Sequence, residues 1–237
     1  MRSNLTRLVC AVAVAMLFNV RPAHAGIIVS NLSQTTDGHG TIFAAGPPQE
    51  YAQEFTTGSQ SVALGTVIAL VGDATGTFNP SAELVTDNNG QPGSTVVTTF
   101  TVPTIPTGTT LQNETFTPNS SATLSANTSY WFILSATGTD ASAFYRWGFT
   151  DSTSSTGSGS IGMIGVSQSN GESWTVHPLS FGPQMLQVNS ATASVPEPTS
   201  LILMALAAPA IAYGCLISRR RSMTRIVSPH LLRPSGL

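Results

Sequence analysis

His39 and His177 are the only imidazoles between Gly26 and Ser194, and they share that span with ten carboxylates and no cysteine. Asp37-Gly38-His39-Gly40 sets a carboxylate and an imidazole two residues apart, the raw material of a metal or acid–base site. Spacing alone does not build a site, and the tetrapeptide reads as an exposed loop. Paired carboxylates serve glycoside hydrolysis, but ten acids allow pairs anywhere and single out none. There is no cysteine nucleophile and no Gly-x-Ser-x-Gly elbow, which disfavours an α/β-hydrolase. Gly157-Ser158-Gly159-Ser160-Ile161-Gly162 matches the dinucleotide fingerprint literally, yet it lies in a Ser/Gly run with no strand–helix context. Asp87-Asn88-Asn89-Gly90 offers oxygens to calcium but lacks the EF-hand spacing and its closing glutamate, so a plain turn is the favoured reading. Trp131, Tyr145, Trp147 and Trp174 could form a sugar-stacking face beside Arg146, with core packing as the competing reading. The expectation is a non-catalytic chain with no metal and no cofactor.

Whatever these residues do, strands must position them. The span is rich in Ser, Thr, Gly and Pro and shows no sustained 3-4 periodicity. Ten short runs of β-branched and aromatic residues read as strands: Ile27–Leu32, Ala52–Thr57, Val62–Val71, Ala82–Thr86, Thr95–Val102, Gln112–Thr117, Tyr130–Ala136, Phe144–Thr150, Ile161–Val166 and Met185–Asn189. Val96, Thr98, Phe100 and Val102 would share one strand face, as would Tyr145, Trp147 and Phe149. Turn residues separate the runs, as at Asp87–Gly93 and Pro103–Gly108. The predicted fold is all-β, a single sandwich of jelly-roll-like or immunoglobulin-like type, with a barrel as the alternative. The span is long enough for one self-sufficient core without disulfides.

Charge is segregated. The chain has nine arginines and no lysine; Arg2, Arg7 and Arg21 lie at one end and Arg219, Arg220, Arg221, Arg225 and Arg233 at the other. Arg146 alone stands between Gly26 and Ser194, leaving nine negative charges there uncompensated. Such a surface repels phosphate backbones, so nucleic acid is excluded as a partner.

The ends carry addresses. Arg2 and Arg7, an apolar run from Leu8 to Phe18, and Ala23-His24-Ala25 before Gly26 follow secretory-signal logic. The expectation is passage through the Sec translocon and cleavage by signal peptidase after Ala25, making 1–25 a signal peptide. Residues 26–189 form the β domain and 190–199 a linker. Residues 200–218 are uncharged over 19 positions, long enough for a helix to cross a bilayer core of about 30 Å. Arg219, Arg220 and Arg221 would hold the following segment, 219–237, in the cytoplasm.

The order Val195-Pro196-Glu197-Pro198, apolar helix, arginine triplet resembles the PEP-CTERM sorting signal. The resemblance implies an exosortase partner, a membrane-embedded cysteine protease-transpeptidase that cuts near the motif and releases or transfers the domain. It further implies an inner-membrane precursor that ends at the cell surface or in the extracellular matrix; polysaccharide is the partner that the aromatic face would take. The chain departs from the family by continuing from Ser222 to Leu237. A second resemblance rests on Ala52–Gly58, Leu84–Gly93 and Leu124–Trp131, which in that order are similar to choice-of-anchor R domains of bacterial surfaces. That family implies no catalytic residues.

Overall fold

The computed structural model describes residues 26–45, 49–169 and 171–191. Among them the chain is all-β and antiparallel: β1 (Ile27–Ser30), β2 (Gly38–Phe43), β3 (Glu50–Thr56), β4 (Val62–Thr75), β5 (Asn79–Asp87), β6 (Pro92–Thr101), β7 (Leu111–Pro118), β8 (Thr123–Leu124), β9 (Ser129–Thr137), β10 (Phe144–Phe149), β11 (Ser160–Ser167), β12 (Trp174–His177) and β13 (Leu186–Ser190). A 3-10 turn, Leu179–Phe181, precedes β13. No helix among the described residues is long and apolar enough to cross a membrane. The signal residues Ala23 and Ala25, the motif Val195–Pro198, the apolar segment 200–218 and Arg219–Arg221 lie outside the described residues.

Two ladders face one core. The first is built on β4, which pairs β13 and then β10 along one edge and β7 along the other. β1 extends it beyond β13, and β2 beyond β10. The second runs β6-β5-β9-β3-β11-β12. Two residue pairs between β6 and β7, Phe100↔Pro118 and Thr101↔Thr117, join the ladders into one continuous sheet. Phe132 on β9 holds their inner faces together. It meets Phe100, Phe116 and Trp147 edge to face at 5.3, 5.5 and 5.8 Å. Each such pair stabilises by about 0.5–1.5 kcal/mol beyond its area burial.

Strand patterning places most side chains. Tyr145 and Trp147 share the core face of β10, as alternation predicts. β6 departs from the simple pattern: Thr98 and Phe100 are buried but Val96 is exposed. Register shifts in the β5–β6 pairing on both sides of Val85 break the period of two there. The hairpin itself turns at Asn88–Gln91, where Asn89 and Gly90 both take positive φ, 54° and 80°, as a type I′ turn requires.

Asp37-Gly38-His39-Gly40 is corrected by the structure. Gly38–Gly40 opens β2 and is not a loop. The glycines are there because rings lie flat on the backbone: an added Cβ would sit 2.4 Å from Phe149 at Gly38 and 2.7 Å from Tyr51 at Gly40.

One buried side chain ties the second ladder to the segment entering β13. Gln53 on β3 is fully buried; its Nε2 donates to the carbonyls of Gly162 and Met163, and its Oε1 accepts from Gln184 N at 2.7 Å. Gly162 and Met163 are the residues that bulge out of the β3–β11 pairing. Glu54, on the opposite face of β3, accepts from Met163 N at 2.9 Å. Asn31 repeats the device further along, donating to Gln184 O and accepting from Leu186 N. Gln53→Leu keeps the volume and leaves two carbonyls and one N–H buried without partners, so unfolding in urea is expected to show a loss of about 2–4 kcal/mol.

Candidate ligand-binding cleft

The four aromatics named as a stacking face do not share one. Tyr145 and Trp147 lie in the main core, and Trp131 is buried on the other side of its ladder. Each polar ring end is satisfied inside: Tyr145 Oη donates to Ser135 O, Trp147 Nε1 to Met185 O and Trp131 Nε1 to Asp87 Oδ1 at 2.8 Å. Trp174 is half-buried against the cluster of Trp131, Val85, Ala52 and Ile133. The correction has a simple cause: large rings contribute most when taken out of water, and these strands have a core on each side of β9. Arg146 points away from Tyr145 and Trp147 by alternation. It pairs with Asp73 and lies 5.3 Å from the Phe144 ring.

Other polar candidates serve the fold. Asp87 accepts from Gly90 N with both carboxylate oxygens, besides Trp131. Asp37 accepts from Asp151 N at 2.8 Å and from Thr150 Oγ1. Gly157–Gly162 lies against β1 and leads into β11 with no helix behind it. No three His, Cys, Asp or Glu residues cluster as a metal site among the described residues.

A cleft forms elsewhere, between β2 and β12, where β3, β11 and β12 of the second ladder meet β2 of the first. Its narrow part, about 180 Å³, is bordered by His39, Gly40, Tyr51, His177, Phe181 and Gln184 among others. An open groove of about 520 Å³ continues it past Gln49, Gln168, Ser169, Ser173 and Thr175. Tyr51, Val166 and His177 line both parts. The two histidines therefore border one hollow, but no carboxylate lines it among the described residues.

Local structure explains the walls. Gly40 admits the Tyr51 ring, whose Oη accepts from Gln49 Nε2 at 3.1 Å. Burial pushes the Tyr51 phenol up. Pro178 has φ −66° and starts the 3-10 turn, and Gly182, at φ 91°, ends it. That short turn presents Phe181, which is 66% exposed, and stacks it on His177 with centroids 4.4 Å apart and planes 17° apart. Neither Tyr51 nor Phe181 stands out in the sequence as a site residue; the Pro178…Gly182 bracket around an apolar residue was the available signal.

No family model and no curated protein matches the chain. Among solved structures it is similar to one described as the structure of infectious bursal disease virus Gt strain. That match has 17% identity and a TM-score of 0.24, and covers 68% of this chain. The chain spans 38% of the length of that viral chain, and a likeness at this score carries no argument on fold or function.

Beside the cleft, on the opposite face of β3, Glu50 is 8% exposed. Ser167 Oγ accepts from Ser169 N and Gly171 N, curling the segment after β11 so that Gly171 lies against Glu50 Oε2. Burial first, and the nearby Glu83 second, push the Glu50 carboxyl up to about 7. Burial also raises Glu83. An acid whose folded value exceeds its unfolded one binds more protons when folded. Its penalty is therefore absent below pH 4.5, the ordinary value, and grows as pH rises to about 7. Denaturation at pH 5 and pH 8 is expected to show a loss of about 1–2 kcal/mol at the higher pH, which Glu50→Gln removes.

Proposed function

We propose that the chain is an exported, non-catalytic protein of the cell surface or extracellular matrix, carrying a PEP-CTERM signal for exosortase processing. In this reading its domain is a β-sandwich of jelly-roll-like type with a structural or adhesive role. Sec translocon and signal peptidase act on one end and exosortase on the other.

The observation that supports this reading is the pairing of Gly26 and β1 with the end of β13. β1 lies against β13 with Ile27 opposite Asn189. Gly26, the expected first residue after signal cleavage, donates its N–H to Ser190 Oγ at 2.8 Å, and Ser190 N donates to Gly26 O at 2.8 Å. Ala191 N donates to Ala63 O. Val195 follows four residues later. Cuts before Gly26 and near Val195-Pro196-Glu197-Pro198 would leave every ladder of the domain whole. The two prolines disfavour helix around the motif and suit an extended substrate in a protease groove.

An epitope inserted at Gly108, an exposed turn, reports mass and location in hosts with and without an exosortase. N-terminal sequencing is expected to begin at Gly26. With exosortase the product is expected to lose roughly the mass of residues after the motif and leave the inner membrane. Full-length protein retained in the inner membrane of both hosts would sink the processing reading.

A further inference from the structure

We propose that the cleft between β2 and β12 binds an uncharged polysaccharide chain, with Phe181 as the platform for one sugar ring. This does not rest on the export reading, because it follows from the cleft's geometry and chemistry.

The size suits an extended ligand. The open groove of about 520 Å³ falls within the usual range for small-ligand clefts, roughly 300–1,000 Å³, and the hollow beside it adds a deeper pocket. The lining is uncharged apart from whatever proton the histidines carry. Glutamine amides and serine and threonine hydroxyls form the rim, while none of the domain's carboxylates and not Arg146 takes part. In a span with nine uncompensated negative charges, this groove is an island without carboxylates. Ionic recognition of a phosphate, a carboxylate or a basic peptide has no partner there.

The aromatic geometry selects among neutral ligands. Phe181 is the most exposed large apolar side chain among the described residues, and one face of its ring is covered. His177 backs one face of the ring, and the Pro178–Gly182 turn fixes its backbone. Gly182 is held against Phe149, where an added Cβ would sit 2.8 Å away. A pyranose ring presents a patch of C–H groups on its face and hydroxyls around its edge. The C–H patch complements the negative face of an aromatic ring, and the hydroxyls complement an amide and hydroxyl rim. A purely apolar ligand would offer nothing to the polar side chains of Gln168 and Ser173.

The test uses the full chain, purified in detergent from a host without exosortase, run in native gels containing dextran, laminarin, galactomannan or anionic alginate. Retardation by at least one of the three neutral polymers is expected. Phe181→Ala should weaken it at least tenfold, while Phe181→Trp should keep it. Phe43→Ala, an exposed ring on the outer side of β2, should leave it unchanged. Phe181 is largely in water, so the alanine variant should keep the parent thermal midpoint, checked by circular dichroism. Migration unaffected by all three neutral polymers, retardation by alginate alone, or retardation that survives Phe181→Ala would each overturn the proposal.

Discussion

The buried amide of Gln53 is the constraint on which the arrangement depends. One side chain answers two bulged carbonyls of β11 and one N–H of the segment entering β13. A bulge leaves backbone groups without ladder partners, and in the interior those groups must find others. Gln53 supplies them from the core side and Glu54 supplies one from the opposite face. Because Gln184 is fixed by the same amide, the chain from Phe181 to Leu186 is placed relative to β3. The floor of the cleft is thus set by a polar contact in the core.

Acidity without cations is managed locally. Asp37, Glu54, Asp87 and Asp140 each accept one or more backbone N–H groups, and Asp73 takes Arg146. For Asp140, bonds from Ser142 lower the carboxyl below its ordinary range. Among the described residues no N–H donates to Glu50 or Glu83, and theirs are the raised carboxyls. The domain thus gives four of its ten acids a backbone N–H and one its arginine.

Much of the strand content was legible from β-branched runs and turn residues; the second half of the site was not. β10 reads correctly because Tyr145 and Trp147 alternate with Arg146 and Gly148. β2 does not, because glycine usually signals a turn, and here it answers rings arriving from Tyr51 and Phe149, residues distant in sequence. Alternation reveals that Trp131 and Trp147 face one way on their strands but not that both ways are covered. The covering of Trp131 by Met163, Trp174 and Val176 is a tertiary fact. Phe181 escapes notice for the converse reason: an isolated phenylalanine is ordinarily core, and only the His177 stack and the short turn show it standing in water.

The placement of β13 between β1 and β4 has a mechanical consequence. A tether leaving through Ala191 would pull along β13, and a load applied at Phe181 would enter the same strand from its other end, five residues upstream. Traction between the two would act along the strand axis. The tensile path would be a single covalent segment clamped on both sides, and the rest of the sheet would carry little of the strain.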